Sequence, residues 1–262
     1  MLNKIKSKPF LCGVLIALFS LVVSILNITS IFITLSWSEI VSIYGAQASD
    51  IIFSILIQSF WVFIITFICY LVGFKLKSKI IKIEVSKLKE VISSKKNIVL
   101  FLCFCVLIPV VIRILDFYYF PSELSNVVAI NFIIYDGILS ALYNGVVEEL
   151  WFRFGLTTLV LFTFVKVFDR KNEVHSRVYS IVAAIFTSLF LFSFQLSSVT
   201  ASYGVNFDIF VLLRAIVLYL IMNLFYNYIY LKYGVKYSII CHIIFSFMFM
   251  LVIPLVIGLV VL

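Results

Sequence analysis

Long apolar runs broken at intervals by short polar stretches dominate this chain, and their lengths predict helices that cross a bilayer. Runs at 10–35, 51–74, 98–116, 127–150, 178–200, 209–231 and 238–260 each approach or exceed the ~20 residues that a spanning helix requires. The stretch 150–168 is also largely apolar, so either the fourth helix continues through it or a partial span is added. The expectation is an all-α fold, a polytopic membrane helical bundle of about 7–8 transmembrane helices. A β-barrel would show short alternating strands instead of continuous runs. No repeat, low-complexity tract or Pro/Gly-rich linker divides the chain. It reads as one integral-membrane domain, with residues 1–124 carrying no chemical signature and residues 125–262 carrying all of it.

Composition sharpens this picture. The 262 residues are 64% hydrophobic and 12% charged, with mean hydropathy +1.23. The net charge of +8 does not point to nucleic acid, because the lysines cluster beside the apolar runs. That placement fits an anionic membrane surface. Loop 75–96 holds eight lysines against Glu84 and Glu90, a net +6, whereas loop 36–50 has only Glu39 and Asp50. By the positive-inside rule the N-terminus, with Lys4, Lys6 and Lys8, and loop 75–96 face the cytoplasm. Within 75–96, Ile81, Val85, Leu88 and Ile92 recur at helical spacing, which predicts an amphipathic segment on the inner leaflet. The start resembles a signal peptide but shows no small-residue cleavage site, so an uncleaved first span is expected. The Lys/Ile/Phe-rich composition is of bacterial type, and the expected location is the plasma membrane. Cys12, Cys69, Cys103, Cys105 and Cys241 lie in apolar runs without a CxxC pair, as small packing residues do. Tyr118, Tyr119, Tyr226, Tyr228 and Tyr230, near span ends, fit interfacial belts.

Against this apolar background one stretch stands out, Glu148-Glu149-Leu150-Trp151-Phe152-Arg153. An ionisable group at the bilayer centre costs roughly 2.5–3.5 kcal/mol on insertion scales, so such groups face a partner or a wet cavity. On an α-helix Glu149 and Arg153 are i,i+4 neighbours, while Glu148 is turned about 100° away. Two readings remain open on spacing alone. The three residues form a packing ion pair with a spare glutamate, or Glu149–Arg153 is scaffolding and Glu148 is a general base in a low-dielectric cavity. The last run adds His242 and Ser246 on one helix face, and the fifth adds Gln195 with Ser188 and Ser193 nearby. His175, the other histidine, sits in the polar stretch 169–177 as a solvated residue. No GxxxxGK[ST], GxGxxG or HExxH occurs, so neither a nucleotide nor a metal cofactor is expected.

The stretch 148–153, the later Ser-Leu-Phe-Leu-Phe-Ser-Phe-Gln (188–195) and the final His-Ile-Ile-Phe-Ser (242–246) resemble the three motifs of the CAAX prenyl protease 2 and bacteriocin-immunity family, often called CPBP or Abi. The family pattern is EExxxR, FxxxH and HxxxN. The resemblance covers roughly residues 125–250, with the first motif complete. Leu191 and Gln195 stand where the family has Phe and His, and Ser246 stands where it has Asn. It implies an intramembrane endopeptidase open to the cytosolic side, acting on a membrane-associated peptide or protein. Glu148 would activate water, His242 and Ser246 would stabilise the oxyanion, Gln195 would orient the water, and Glu149 and Arg153 would brace the helix. An amide cannot exchange a proton near neutral pH. The alternative is therefore a catalytically degenerate relative that serves in bacteriocin immunity or partner binding. A transporter, suggested by Arg214 and the buried carboxylates, lacks an inverted repeat. One conflict is left for the structure: on straight spans starting at Arg177 and Lys236, Gln195 lies about 27 Å in and His242 about 9 Å in.

Overall fold

The computed structural model describes residues 2–29, 48–80, 95–119, 130–168, 177–203 and 208–256, and every described residue except Asp208 and Gly234 is helical. Seven continuous helices result. They are α1 (Leu2–Thr29), α2 (Ala48–Ile80) and α3 (Lys95–Leu102, Cys103–Leu107 and Ile108–Tyr119 in succession); then α4 (Ile130–Leu142, Tyr143–Thr157 and Thr158–Phe168) and α5 (Arg177–Tyr203). The last two are α6 (Ile209–Ala215, Ile216–Ile221 and Met222–Tyr233) and α7 (Val235–Phe247 and Met248–Val252, continuing to Val256). All seven are long and apolar enough to cross a membrane, with spans Pro9–Asn27, Ile52–Leu76, Val99–Asp116, Gly137–Phe168, Val178–Ser197, Ile209–Tyr233 and Val235–Val256. The all-α bundle read from the apolar runs is therefore what the chain forms. Residues 150–168 add no eighth span, because they continue α4. The basic segment 81–94, the side chains of Tyr118 and Tyr119, and His175 lie outside the described residues.

The bundle is inverted relative to a soluble core. Phe53, Phe60 and Trp61 on α2 and Phe186, Phe190 and Phe194 on α5 face outward, whereas Ser20, Ser24, Ser59, Thr66, Thr187, Ser188 and Asn227 are buried. Hydrocarbon is as apolar as leucine, so burying large side chains gains little in a membrane. Close packing of small residues and interhelical hydrogen bonds hold the helices together instead. Asn227 donates to Ser188 Oγ (2.9 Å) and Thr187 Oγ1 (3.2 Å), and accepts from Thr157 (2.8 Å), which ties α6 to α5 and α4. Trp151 Nε1 donates to Thr66 (2.7 Å) and ties α4 to α2.

Helices α4 and α7 run antiparallel in close contact. A Cβ at Gly137 would meet Leu251, and one at Gly145 would meet Ile243, lying 2.9 Å from its backbone nitrogen. This register brings Glu149 opposite the first turns of α7. A Gly145→Ala substitution is therefore expected to push the two backbones apart, costing about 1–3 kcal/mol as overpacking does. A lowered thermal unfolding temperature in detergent would read this out.

The turn between α6 and α7 resolves the depth conflict. Gly234 has φ 97° and a buried backbone, a conformation that glycine adopts without a Cβ penalty. Its flanks Tyr230 and Val235 pack against Leu150 and Phe154, and Leu231 packs beside Leu161 and Ala183. From Phe154, α4 runs on to Phe168, roughly 21 Å further at 1.5 Å per residue. The α6–α7 hairpin is thus recessed relative to the end where α4 stops and α5 begins. Residues far along α5 and early in α7 consequently share one depth, which straight spans with level starts did not allow.

Candidate active site

Glu148, Glu149 and Arg153 lie in Tyr143–Thr157, where the backbone is π-helical. Rotation per residue is smaller in the wider i→i+5 turn than in an α-helix, so the two glutamates diverge less than the 100° expected from α geometry. Three of the four π-helical segments described, Tyr143–Thr157, Ile216–Ile221 and Met248–Val252, contribute to the wall of one cavity of about 140 Å³. Asn144, Glu148, Gln195, Asn223, Tyr226, His242 and Ser246 line it, together with Leu218, Tyr219, Phe245, Phe249 and Met250. Every residue that the three sequence motifs nominate for chemistry therefore reaches one space: Glu148 from α4, Gln195 from α5, and His242 and Ser246 from α7.

The two glutamates have distinct surroundings. Glu149 is fully buried, and its oxygens are occupied. Oε1 stands 3.2 Å from Arg153 Nη1 and 2.8 Å from His242 Nδ1, while Oε2 accepts from Ser238. Arg153 is 1% exposed, which leaves no water to compensate either charge, and their i,i+4 pairing forms as the spacing suggests. Glu149 also does something the spacing did not reveal. A carboxylate only accepts, so His242 must present Nδ1–H to it, which leaves Nε2 for the cavity. Tyr226 stacks on the imidazole with centroids 4.3 Å apart, locking the ring plane. Glu148 is only half-buried and lines the cavity.

Beyond Arg153, Nη2 donates to Asn223 Oδ1. Asn223 Nδ2 donates to Gln195 Oε1 (3.3 Å) and to the Tyr219 carbonyl. Asn223, Tyr226 and Ser238 are thus parts of the site that sequence reasoning missed. Tyr226 and Tyr230 are 2% and 1% exposed, which corrects their assignment to an interfacial belt; only Tyr228 of the α6 tyrosines named there is exposed. The signal available was the pair Asn223 and Asn227, four residues apart in an apolar span, since polar residues there face the bundle interior. Arg214, which had suggested a transport path, forms a two-pronged pair with Asp116 at 2.6 and 3.0 Å and ties α6 to α3. Among the described residues no three His, Cys, Asp or Glu side chains converge as metal ligands.

From Glu148 and His242 the cavity wall climbs along α6 to Leu218 and along α7 to Met250, toward the end of the bundle where Asp116 and Asp208 lie. On the other side Ser238 donates to Glu149 and to the Tyr226 carbonyl. Lys75, Lys166, Lys232 and Lys236 all belong to this opposite end of the bundle.

Residues 130–248, just under half of the chain, match the family model described as Rce1-like, type II CAAX prenyl endopeptidase. The match spans all three motifs and supports the family resemblance read from Glu148–Arg153, Gln195 and His242–Ser246. No curated protein and no solved structure matches the chain.

Proposed function

Starting from that match, we propose that the chain is an intramembrane endopeptidase that hydrolyses a membrane-associated peptide or protein with water activated by Glu148. The observation that carries this reading is the convergence of Glu148, Gln195, His242 and Ser246 on one cavity although they come from three helices. A packing ion pair alone would not require such a meeting. Glu148 takes a proton from water, and the hydroxide adds to the scissile carbonyl carbon. In the imidazolium form His242 donates from Nδ1 to Glu149 and from Nε2 to the developing oxyanion, and the Ser246 hydroxyl adds a second donor. The proton held on Glu148 then passes to the leaving amine, which breaks the C–N bond. Glu149 and Arg153 hold the machinery without touching the substrate.

The test is to incubate the purified protein with membrane-anchored peptides and read the products by mass spectrometry. His242→Ala should lower kcat about 10²–10³-fold, as loss of a preorganised oxyanion donor does. Equal rates for His242→Ala and wild type would remove His242 from the mechanism.

The balance of lysines supports a cytoplasmic N-terminus, and a cavity whose lining runs toward Leu218 and Met250 would then open on the non-cytoplasmic side. A Leu218→Cys variant in intact cells is then expected to react with a membrane-impermeant maleimide added outside. Labelling only after the membrane is broken would reverse this orientation.

A further inference from the structure

The hydrogen bonds that leave the Glu149–Arg153 pair fix a polarity, and that polarity assigns a role to Gln195. A guanidinium has donors and no acceptor, and it stays protonated in proteins. Because Arg153 donates to the side chain of Asn223, the Asn223 atom that receives it is the carbonyl oxygen Oδ1. The other end of the amide is then the NH₂ group, which donates to Gln195 at 3.3 Å. The Gln195 atom that receives this bond must in turn be Oε1, so the remaining end of Gln195 is its NH₂ group. Amide orientation, which rests on network logic in any structure without visible hydrogens, is here dictated from one end by a group that cannot reverse. Asn223 is 7% exposed and Arg153 1%, so water does not offer either an easy substitute partner. Gln195 is half-buried on the cavity wall.

We propose that Gln195 is a third oxyanion donor, presenting its Nε2–H₂ to the substrate carbonyl, and that Asn223 is the positioning residue that imposes this orientation. A neutral amide cannot move protons near pH 7, so the glutamine serves the charge that develops on oxygen while proton transfer stays with Glu148. This rests on the hydrolase reading above and deepens it. The same parity explains why a histidine suits this place: it would accept from Asn223 at one ring nitrogen and donate from the other, which keeps the polarity of the relay unchanged.

The experiment compares Gln195→Glu, Asn223→Asp, the double variant and Gln195→His with wild type. Two readouts are taken, peptide turnover and calorimetric binding of a peptide phosphonamidate, whose anionic oxygens mimic the oxyanion and whose binding requires donors but no turnover. Glutamate at 195 accepts but cannot donate. Aspartate at 223 accepts from Arg153 but cannot donate to Gln195, which then turns its NH₂ group toward the aspartate and its oxygen to the cavity. Each single variant is expected to lose about 10²–10³-fold in kcat and to bind the phosphonamidate correspondingly more weakly. KM should change little, and so should the unfolding temperature of Gln195→Glu, whereas Asn223→Asp sets a carboxylate oxygen against the Tyr219 carbonyl and should melt lower; in both readouts the double variant should be no worse than Gln195→Glu, because Asn223 acts through Gln195. Gln195→His, which can accept at one ring nitrogen and donate from the other, should recover in both readouts part of what Gln195→Glu loses. Turnover that survives in Asn223→Asp or Gln195→Glu overturns the relay and leaves the hydrolase standing. Phosphonamidate binding without turnover, lost in the two single variants, upholds the relay and removes the hydrolase. Neither binding nor turnover in wild type overturns both.

Discussion

Replacing Glu148 by glutamine is expected to reduce peptide hydrolysis about 10²–10⁴-fold in kcat, the range typical for loss of a positioned general base. The fold should survive. Glutamine keeps the size and shape of the side chain, and Glu148 sits half-buried on a cavity wall without the ion pair that anchors its neighbour. Circular dichroism and the unfolding temperature should therefore match wild type while turnover collapses. The same substitution at Glu149 would confuse the two effects, because that carboxylate pairs with the Arg153 charge and accepts from His242 and Ser238 at once. A comparison of steady-state kinetics for Glu148→Gln with its melting curve separates chemistry from stability. Retained turnover would move the base elsewhere.

Arg153→Met should act through stability. Removing one partner of a buried ion pair costs about 3–5 kcal/mol, since the remaining charge has neither partner nor solvent. Here the charge left behind is Glu149, fully buried, with only a histidine and a serine against it. The arginine also packs over the Tyr226 ring, 5.1 Å from its centroid, and directs Asn223. Arg153→Lys should recover only part of the loss, because an ammonium lacks the planar fork that spans a carboxylate and an amide together. Chemical denaturation in mild detergent gives the ordering wild type, Arg153→Lys, Arg153→Met. A Met variant as stable as wild type would mean that the pair is not what holds α4 in place.

The fold was largely legible because lipid imposes a strong constraint. A span must be apolar and about 20 residues long, and the expected runs lie near the observed spans except the fourth, which was expected at 127–150 and spans Gly137–Phe168. What the runs did not disclose was depth. Lys236 looked like a membrane boundary, yet Gly234 turns the chain inside the bundle, against Leu150 and Phe154. That recess is a tertiary fact about which residues pack on which, and local hydropathy carries no record of it. The candidate site was half legible. Glu148, Gln195, His242 and Ser246 could be named from motif order, and Glu149–Arg153 from helical spacing. The bond from Glu149 to His242 Nδ1 could not, because it joins residues 93 apart in the chain. Nor could the π-helical backbone of 143–157, which narrows the angle between the glutamates and which no residue in that stretch announces. Asn223 and Asn227 were visible as polar residues in an apolar run, and weighing them as interior-facing would have found the relay.

The decisive measurement is cleavage of membrane-anchored and signal-peptide-derived peptides by the purified, detergent-solubilised protein, with Glu148→Ala and Gln195→His assayed beside it. The expected result is a defined cut by wild type, lost in Glu148→Ala and kept in Gln195→His. No cut by wild type together with a cut by Gln195→His would contradict it. That outcome would mean that the cavity and its carboxylate persist while the chemistry was surrendered with the histidine, and that the protein works by binding a partner.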